Sequence, residues 1–262
     1  MKHVLWIGGP PASGKTTVAT RLARRYGLRL YAADTCTWAH RDRALARGIP
    51  AALRWEALTP EERARSTPGQ ALELSLHRER GPMVVEDLLT LPRAPLVLAE
   101  GSTLPAAAVR DRSRALWLIP TAAFQRARLE ERGLSAGAQA FFLLLAETIE
   151  REAREHDVPT VTVDGERGID AVVEAVERHL AEALADGPSA ATLAERRALL
   201  REANEAVVAQ VRGYFARPWA EGDAKEVVRT FLCECGDRHC ASSVEATVAI
   251  AAAAPVVTPA HA

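Results

Sequence analysis

Eight residues near the start of the chain restrict its fold more than any other feature. Gly9-Pro10-Pro11-Ala12-Ser13-Gly14-Lys15-Thr16 fits the pattern G-x-x-x-x-G-K-[ST] in full. Before it lies an apolar run, His3 to Gly8, that reads as a strand. After it, from about Gly14 to Tyr26, Val18, Leu22 and Tyr26 recur at the spacing of a helix face. In that order a strand, a glycine-rich loop and a helix make a cradle for phosphate: the loop curls until successive N–H groups point into one concavity, and the helix adds its positive end. Gly9 through Thr16, with Thr17, are therefore the candidate nucleotide-binding residues. Lys15 is placed to reach the β and γ phosphates of ATP, and the Thr16 hydroxyl suits Mg²⁺. An accidental Gly/Pro turn is the competing reading, and the flanking strand and helix argue against it.

Composition narrows the role of that lysine. The 33 Lys and Arg residues include only three lysines, Lys2, Lys15 and Lys225. A chain that places arginine almost everywhere keeps a compact ammonium on a flexible stem where phosphates must be followed, a task for which the planar guanidinium is poorly shaped. Against 34 acids the formal net charge is −1, which removes the basic footprint of a protein that grips long nucleic acid through many phosphates. No apolar run is long enough for a membrane span or for the core of a signal peptide, so a cytoplasmic location is expected.

Four further short apolar runs follow: Leu28 to Ala33, Pro95 to Ala99, Ala115 to Ile119 and Thr160 to Val163, with helical segments alternating between strands. Thr59-Pro60-Glu61-Glu62 starts one such segment as an N-cap, and Gly81-Pro82 is expected to break or kink the helical run from Thr59 to Leu91. The last helix of the unit runs from about Gly168 to Ala185. This alternation predicts an α/β fold with a five-stranded parallel sheet covered by helices on both faces. Asp186 to Ala191, with Gly187-Pro188-Ser189, reads as a boundary, which gives a domain over 1–186, a smaller α+β module over 192–250 and a disordered Ala/Pro tail over 251–262. Within the module, Leu193, Leu200, Val207, Val208, Val211 and Phe215 stripe a long helix, and Arg229 to Cys235 and Ser243 to Ala249 read as strands.

With the loop, Asp34 after the second strand, Glu100-Gly101 after the third, and Arg126, Arg128 and Arg132 after the fourth, the chain from Met1 to about Ala185 resembles the P-loop kinases of small molecules, the adenylate-kinase-like and chloramphenicol-phosphotransferase-like group. The resemblance implies a cytoplasmic Mg²⁺·ATP-dependent phosphotransferase that moves the γ-phosphoryl group to a hydroxyl of a small-molecule acceptor. It further implies that Asp34 orients or deprotonates that hydroxyl, that Glu100 supports Mg²⁺, that Arg126 and Arg132 close over the nucleotide as a lid, and that Asp164-Gly165 borders the adenine. Alternatives remain at each position. Asp34 could cap a helix, and the lid arginines could form a solvated face with Arg128 paired to Glu130 or Glu131. Trp38 and Arg41, at helical spacing from Asp34, could line an acceptor pocket with Arg78, Arg80, Glu86 and Asp87, or Trp38 could belong to the core. A different class of function also fits: a nucleotide-dependent switch whose C-terminal module binds a protein or nucleic-acid partner. A nucleic-acid-end kinase is a third reading that the charge balance disfavours.

Cys233-Glu234-Cys235-Gly236-Asp237-Arg238-His239-Cys240 is the second concentration of chemistry. From about Thr192 onward the chain resembles a small module of actinobacterial proteins that carries a Cys-Glu-Cys-Gly run. Three thiolates, Cys233, Cys235 and Cys240, suit Zn²⁺, with a fourth ligand required from His239, another histidine or elsewhere. The spacing departs from paired C-x₂-C sites, so reduced structural cysteines are the competing reading.

Overall fold

The computed structural model describes residues 1–261. In chain order the first half contains β1 (Val4–Gly8), α1 (Lys15–Tyr26), β2 (Arg29–Ala32), α2 (Thr37–Ala46), α3 (Pro50–Ala57), α4 (Pro60–Ala64), α5 (Pro68–Leu74), α6 (His77–Thr90), β3 (Val97–Gly101) and β4 (Ala115–Pro120). It continues with α7 (Ala122–Glu131), α8 (Ala136–Glu155), β5 (Thr160–Val163), α9 (Ile169–His179), α10 (Ala181–Asp186), α11 (Leu193–Phe215), β6 (Val228–Leu232), β7 (Ser243–Thr247) and α12 (Val248–Ala253). The first five strands form one sheet in the order β2-β3-β1-β4-β5, and every neighbouring pair is parallel. The expected α/β architecture is present.

Alternation along β1 explains why helices cover both faces. Leu5 and Ile7 point to one side, where they pack with Val18, Ala19 and Leu22 of α1 and Val172, Val173 and Val176 of α9. Val4 and Trp6 point to the other, against Val84 and Leu88 of α6 and Leu145 and Ile149 of α8. A strand buried on both faces has no polar side to spare, which is why the sequence reads as an unbroken apolar run. Truncating Leu5, Ile7, Leu22, Leu88, Leu145 or Ile149 to Ala would remove roughly 2–5 kcal/mol.

Two sequence expectations are corrected, and one segment expected as a boundary is held in place. Gly81-Pro82 does not break the middle run, because Pro82 sits inside α6 while Gly81 lies against Pro105. The run starts at the expected Thr59 N-cap, and its breaks fall at Thr67, which like Thr59 forms a reciprocal capping box, there with Gln70 as at Thr59 with Glu62, and at Leu76, which adopts a left-handed conformation. The segment 186–191 is pinned: the Leu96 N–H donates to the Pro188 carbonyl at 2.8 Å, and the Ala190 N–H donates to the Gly27 carbonyl at 2.8 Å. The tail from Ala251 is folded back rather than frayed. Ala251 and Val256 are buried with Val208, Val211 and Phe231, and the Glu234 N–H donates to the Val256 carbonyl. Its alanines lack any pattern that could announce this, since they fill space chosen by α11 and the antiparallel pair β6–β7.

The long helix α11 lies beside β2, the outer strand of the large sheet. Arg29 of β2 pairs with Glu202 at 2.9 Å, and Gly213 lies so close to Trp38 of α2 that a Cβ would meet that side chain's Cβ at 2.8 Å. An outer strand with unpaired backbone invites association, and a helix laid along it covers that edge. No helix among the described residues is long and apolar enough to cross a membrane.

Candidate active site

The phosphate loop leaves β1 at its carboxyl end and turns on backbone that side chains oppose. Gly9 has φ 141° and Gly14 φ 83°, and a Cβ on Gly9 would stand 2.3 Å from the Leu118 carbonyl oxygen. Ala12, at φ 68°, accepts the left-handed conformation without being glycine, at a cost of about 1–2 kcal/mol. Strain of this kind is found where a loop must present its amides inward. The Ser13 hydroxyl is buried with no hydrogen-bond partner, and Lys15 is only 5% exposed. Gln125 of α7, which carried no recognisable signal in the sequence, is 1% exposed and donates to the Pro11 carbonyl at 3.0 Å, so it ties the loop to the neighbouring helix.

Parallel pairing sets Glu100 opposite Ile7 on one side and Ala32 on the other, and so brings the end of β3 under the loop. The Thr16 hydroxyl lies 3.2 Å from both carboxylate oxygens of Glu100, to which it donates. Glu100 is 1% exposed, and burial pushes its carboxyl up to about 7, against the pull of Lys15 and with the added repulsion of Asp34. A hydroxyl and a carboxylate in contact, beside the buried unpartnered hydroxyl of Ser13, form an oxygen donor set that fits Mg²⁺. A cation there would draw Glu100 into its charged form.

Asp34 occupies the 3₁₀ turn Ala33–Cys36 between β2 and α2. It caps neither helix: no side chain bonds the start of the turn or of α2, and Asp34 itself is exposed. Gly101, with φ 151°, permits the close approach of β3 to this turn, because a Cβ there would stand 2.7 Å from the Ala33 Cβ. Below the turn a buried network fixes its position. Arg80 donates to the Ala33 carbonyl at 2.6 Å and through Nε to His40 Nδ1 at 3.2 Å. That contact puts the His40 proton on Nε2, which donates to Asp87 at 2.8 Å, and burial keeps the imidazole below its ordinary range. Half-burial raises Asp87, but hydrogen bonds from His40 and Tyr31 outweigh it and hold the carboxyl low. Cys36, His40 and Asp87 lie close enough to suggest a metal group, yet Arg80 and Arg43 already supply the positive charge.

The structure thus brings together Lys15, Thr16, Glu100 and Asp34, and separates other expected residues from them. Arg126 and Arg132 are exposed and their guanidinium groups make no hydrogen bond or ion pair among the described residues, while Arg128 pairs with Glu131. Arg80 and Asp87 are engaged in supporting the turn. Trp38 packs with Trp55, Tyr214 and Trp219, and Arg41 lies 4.0 Å over the Trp55 ring, so this aromatic cluster joins α2 to α11. Arg78 lines a different cleft of about 610 Å³ with His77, Thr103, Arg110 and His156, which starts three residues beyond Glu100. Asp164 accepts the N–H of Glu166, and Gly165 stands against the Phe124 ring.

No family model matches the chain. Curated relatives similar to it include a tRNA dimethylallyltransferase of Deinococcus radiodurans, 34% identical over 144 residues, which covers 50% of this chain and 42% of the relative. A tRNA dimethylallyltransferase of Sorangium cellulosum is 33% identical over 103 residues, covering 36% of this chain and 30% of the relative. The fold is that of a P-loop NTPase. The chain spans less than half the length of either relative, and neither is named a kinase. The similarity carries the P-loop fold and a likeness to transferases, and it leaves the transferred group and the acceptor to the chemistry of the site.

Proposed function

We propose that this chain is a Mg²⁺·ATP-dependent phosphotransferase that moves the γ-phosphoryl group to a hydroxyl of a small molecule. The observation that carries the reading is the exposed, uncapped carboxylate of Asp34, placed at the end of β2 within electrostatic reach of buried Glu100. A loop that holds phosphates needs no such residue, whereas in-line transfer to a hydroxyl does: the carboxylate orients the acceptor lone pair and takes its proton. Lys15 and the loop amides hold the phosphates, and Thr16 and Glu100 would hold Mg²⁺, which supplies charge neutralisation when bound. Gln125 and the Arg80–His40–Asp87 network keep loop and turn at their separation. Arg126 and Arg132 reach the nucleotide in this reading only after α7 and the turn following it move.

The names of the relatives favour a second reading, in which the acceptor is a tRNA and the group moved is dimethylallyl. The phosphate loop would then hold the phosphates of the alkyl donor, and the basic side chains of the cleft beside Thr103 would meet the nucleic acid. Two parallel assays separate the readings. One measures acceptor-dependent ADP release with nucleosides, sugars and hydroxylated antibiotics. The other measures labelled dimethylallyl transfer to tRNA. Phosphoryl transfer in the first, lost in Asp34→Ala with nucleotide binding intact, supports the kinase reading. Product only in the second overturns it.

A further inference from the structure

The C-terminal cysteines converge with a residue that the spacing of the motif did not single out. Cys233, Cys235 and Cys240 are buried, and the fourth member of the group is His261, brought back by the tail. One ligand atom from each lies within 4.8 Å of the other three. His261 Nδ1 is 3.6 Å from Cys233 Sγ and 3.5 Å from Cys240 Sγ. A tetrahedral ion with metal–sulfur distances of about 2.3 Å and metal–nitrogen distances of about 2.0–2.1 Å sets such atoms about 3.6 Å apart. His239, adjacent to Cys240 in sequence, is exposed instead, and its backbone N–H donates to Asp237.

We infer that Cys233, Cys235, Cys240 and His261 form a closed structural Zn²⁺ site that fastens the C-terminal tail and the cysteine loop to the back of the phosphate-loop helix. Four protein ligands leave no open position for substrate, which assigns the ion to structure and not to catalysis. Hydrogen bonds from neighbouring elements hold the cysteine loop in place around the ligands. The Thr258 N–H donates to Cys233 Sγ at 3.4 Å. Arg24, near the end of α1, donates to the Cys233 carbonyl at 2.8 Å, and Arg197 of α11 donates to the Cys235 carbonyl at 3.0 Å. Between the first two cysteines, Glu234 is buried on Asn204, whose amide also clasps the backbone of Leu232. The ion therefore sits where tail, α11 and α1 meet, and binding it releases the thiol protons as thiolates form.

Metal analysis of the full chain tests this directly. The expected result is one zinc per chain, a cobalt-substituted form with the visible bands of a tetrahedral thiolate site, and three thiols, Cys233, Cys235 and Cys240, that a thiol reagent reaches only after a strong chelator removes the metal. His261→Ala, which removes a direct ligand, should weaken zinc retention in chelator competition by roughly 10–100-fold or more and shift the cobalt spectrum. His239→Ala should change neither. Because Cys→Ser variants can fail to fold, the His261→Ala and His239→Ala pair carries the test. Absence of metal, bound iron in place of zinc, or identical spectra and affinities in the two histidine variants would overturn the assignment. None of these readings depends on whether the phosphate loop transfers phosphate.

Discussion

The two ends of α1 offer a comparison. At its start, the phosphate loop gathers its donors from consecutive residues, and the backbone itself does much of the work. Behind its end, the cysteine group gathers ligands from Cys233 to His261, three from the loop between β6 and β7 and one from the tail. The first site is made by local conformation and the second by packing. A change in the loop should therefore alter chemistry and leave the fold intact, whereas a change at the cysteines should alter stability and leave the chemistry of the loop to follow.

The largest expected effect is at Lys15. Lys15→Ala should reduce turnover by about 10³-fold or more, with thermal unfolding little changed, because an ammonium in the phosphate cradle acts mainly on transferring charge. Loss of folding instead of turnover, read by calorimetry beside the activity assay, would break the contrast between the two ends. Asp34→Asn comes next: a roughly 10²–10⁴-fold loss in transfer with nucleotide affinity retained, measured by titration calorimetry and single-turnover kinetics.

Packing variants sharpen the other side. Gly101→Ala would press a methyl group against Ala33 and force a side chain into φ 151°, for a cost of about 1–3 kcal/mol in chemical denaturation. Gly213→Ala, wedged against Trp38, should cost a similar or smaller amount and leave Lys15-dependent nucleotide binding unchanged. If it abolishes binding, α11 governs the loop as well as the edge of the sheet.

The smallest effects are those of pH on the metal-free protein, and they run in opposite directions for two carboxylates. Glu100 titrates higher when folded than when unfolded, so its charge costs stability progressively as pH rises from its unfolded value to about 7. Glu100→Gln should raise the melting temperature at pH 8 and change it little near pH 4. Asp87 titrates lower when folded, so its contribution is complete above the ordinary carboxylate range and disappears as pH falls through its lowered value. Asp87→Asn should lower the melting temperature at pH 7 and converge with the parent in acid.

Much of the site was legible because its parts are local. The Thr59 capping box and the strand–loop–helix around Lys15 can each be read from residues within one or two turns of one another. Thr67-Pro68-Gly69-Gln70 carries the same capping logic and could have been found the same way. Gln125 could not, because a lone glutamine in a polar helix gives no sign that its amide will meet the Pro11 carbonyl. Arg80 and Trp38 looked like acceptor-pocket residues by type, but what they touch depends on where α6 and α11 come to rest.

By itself the sequence determined the phosphate loop and the alternation of strands and helices, since backbone conformation and apolar periodicity are set by near neighbours. The tertiary structure alone decided that Glu100 would meet Thr16, that Asp34 would stand free of any cap, and that His261 would return to the cysteines. Each of those contacts joins residues remote in the chain, and their geometry comes from strand order, burial and the close approach of glycines, which no short stretch of sequence contains.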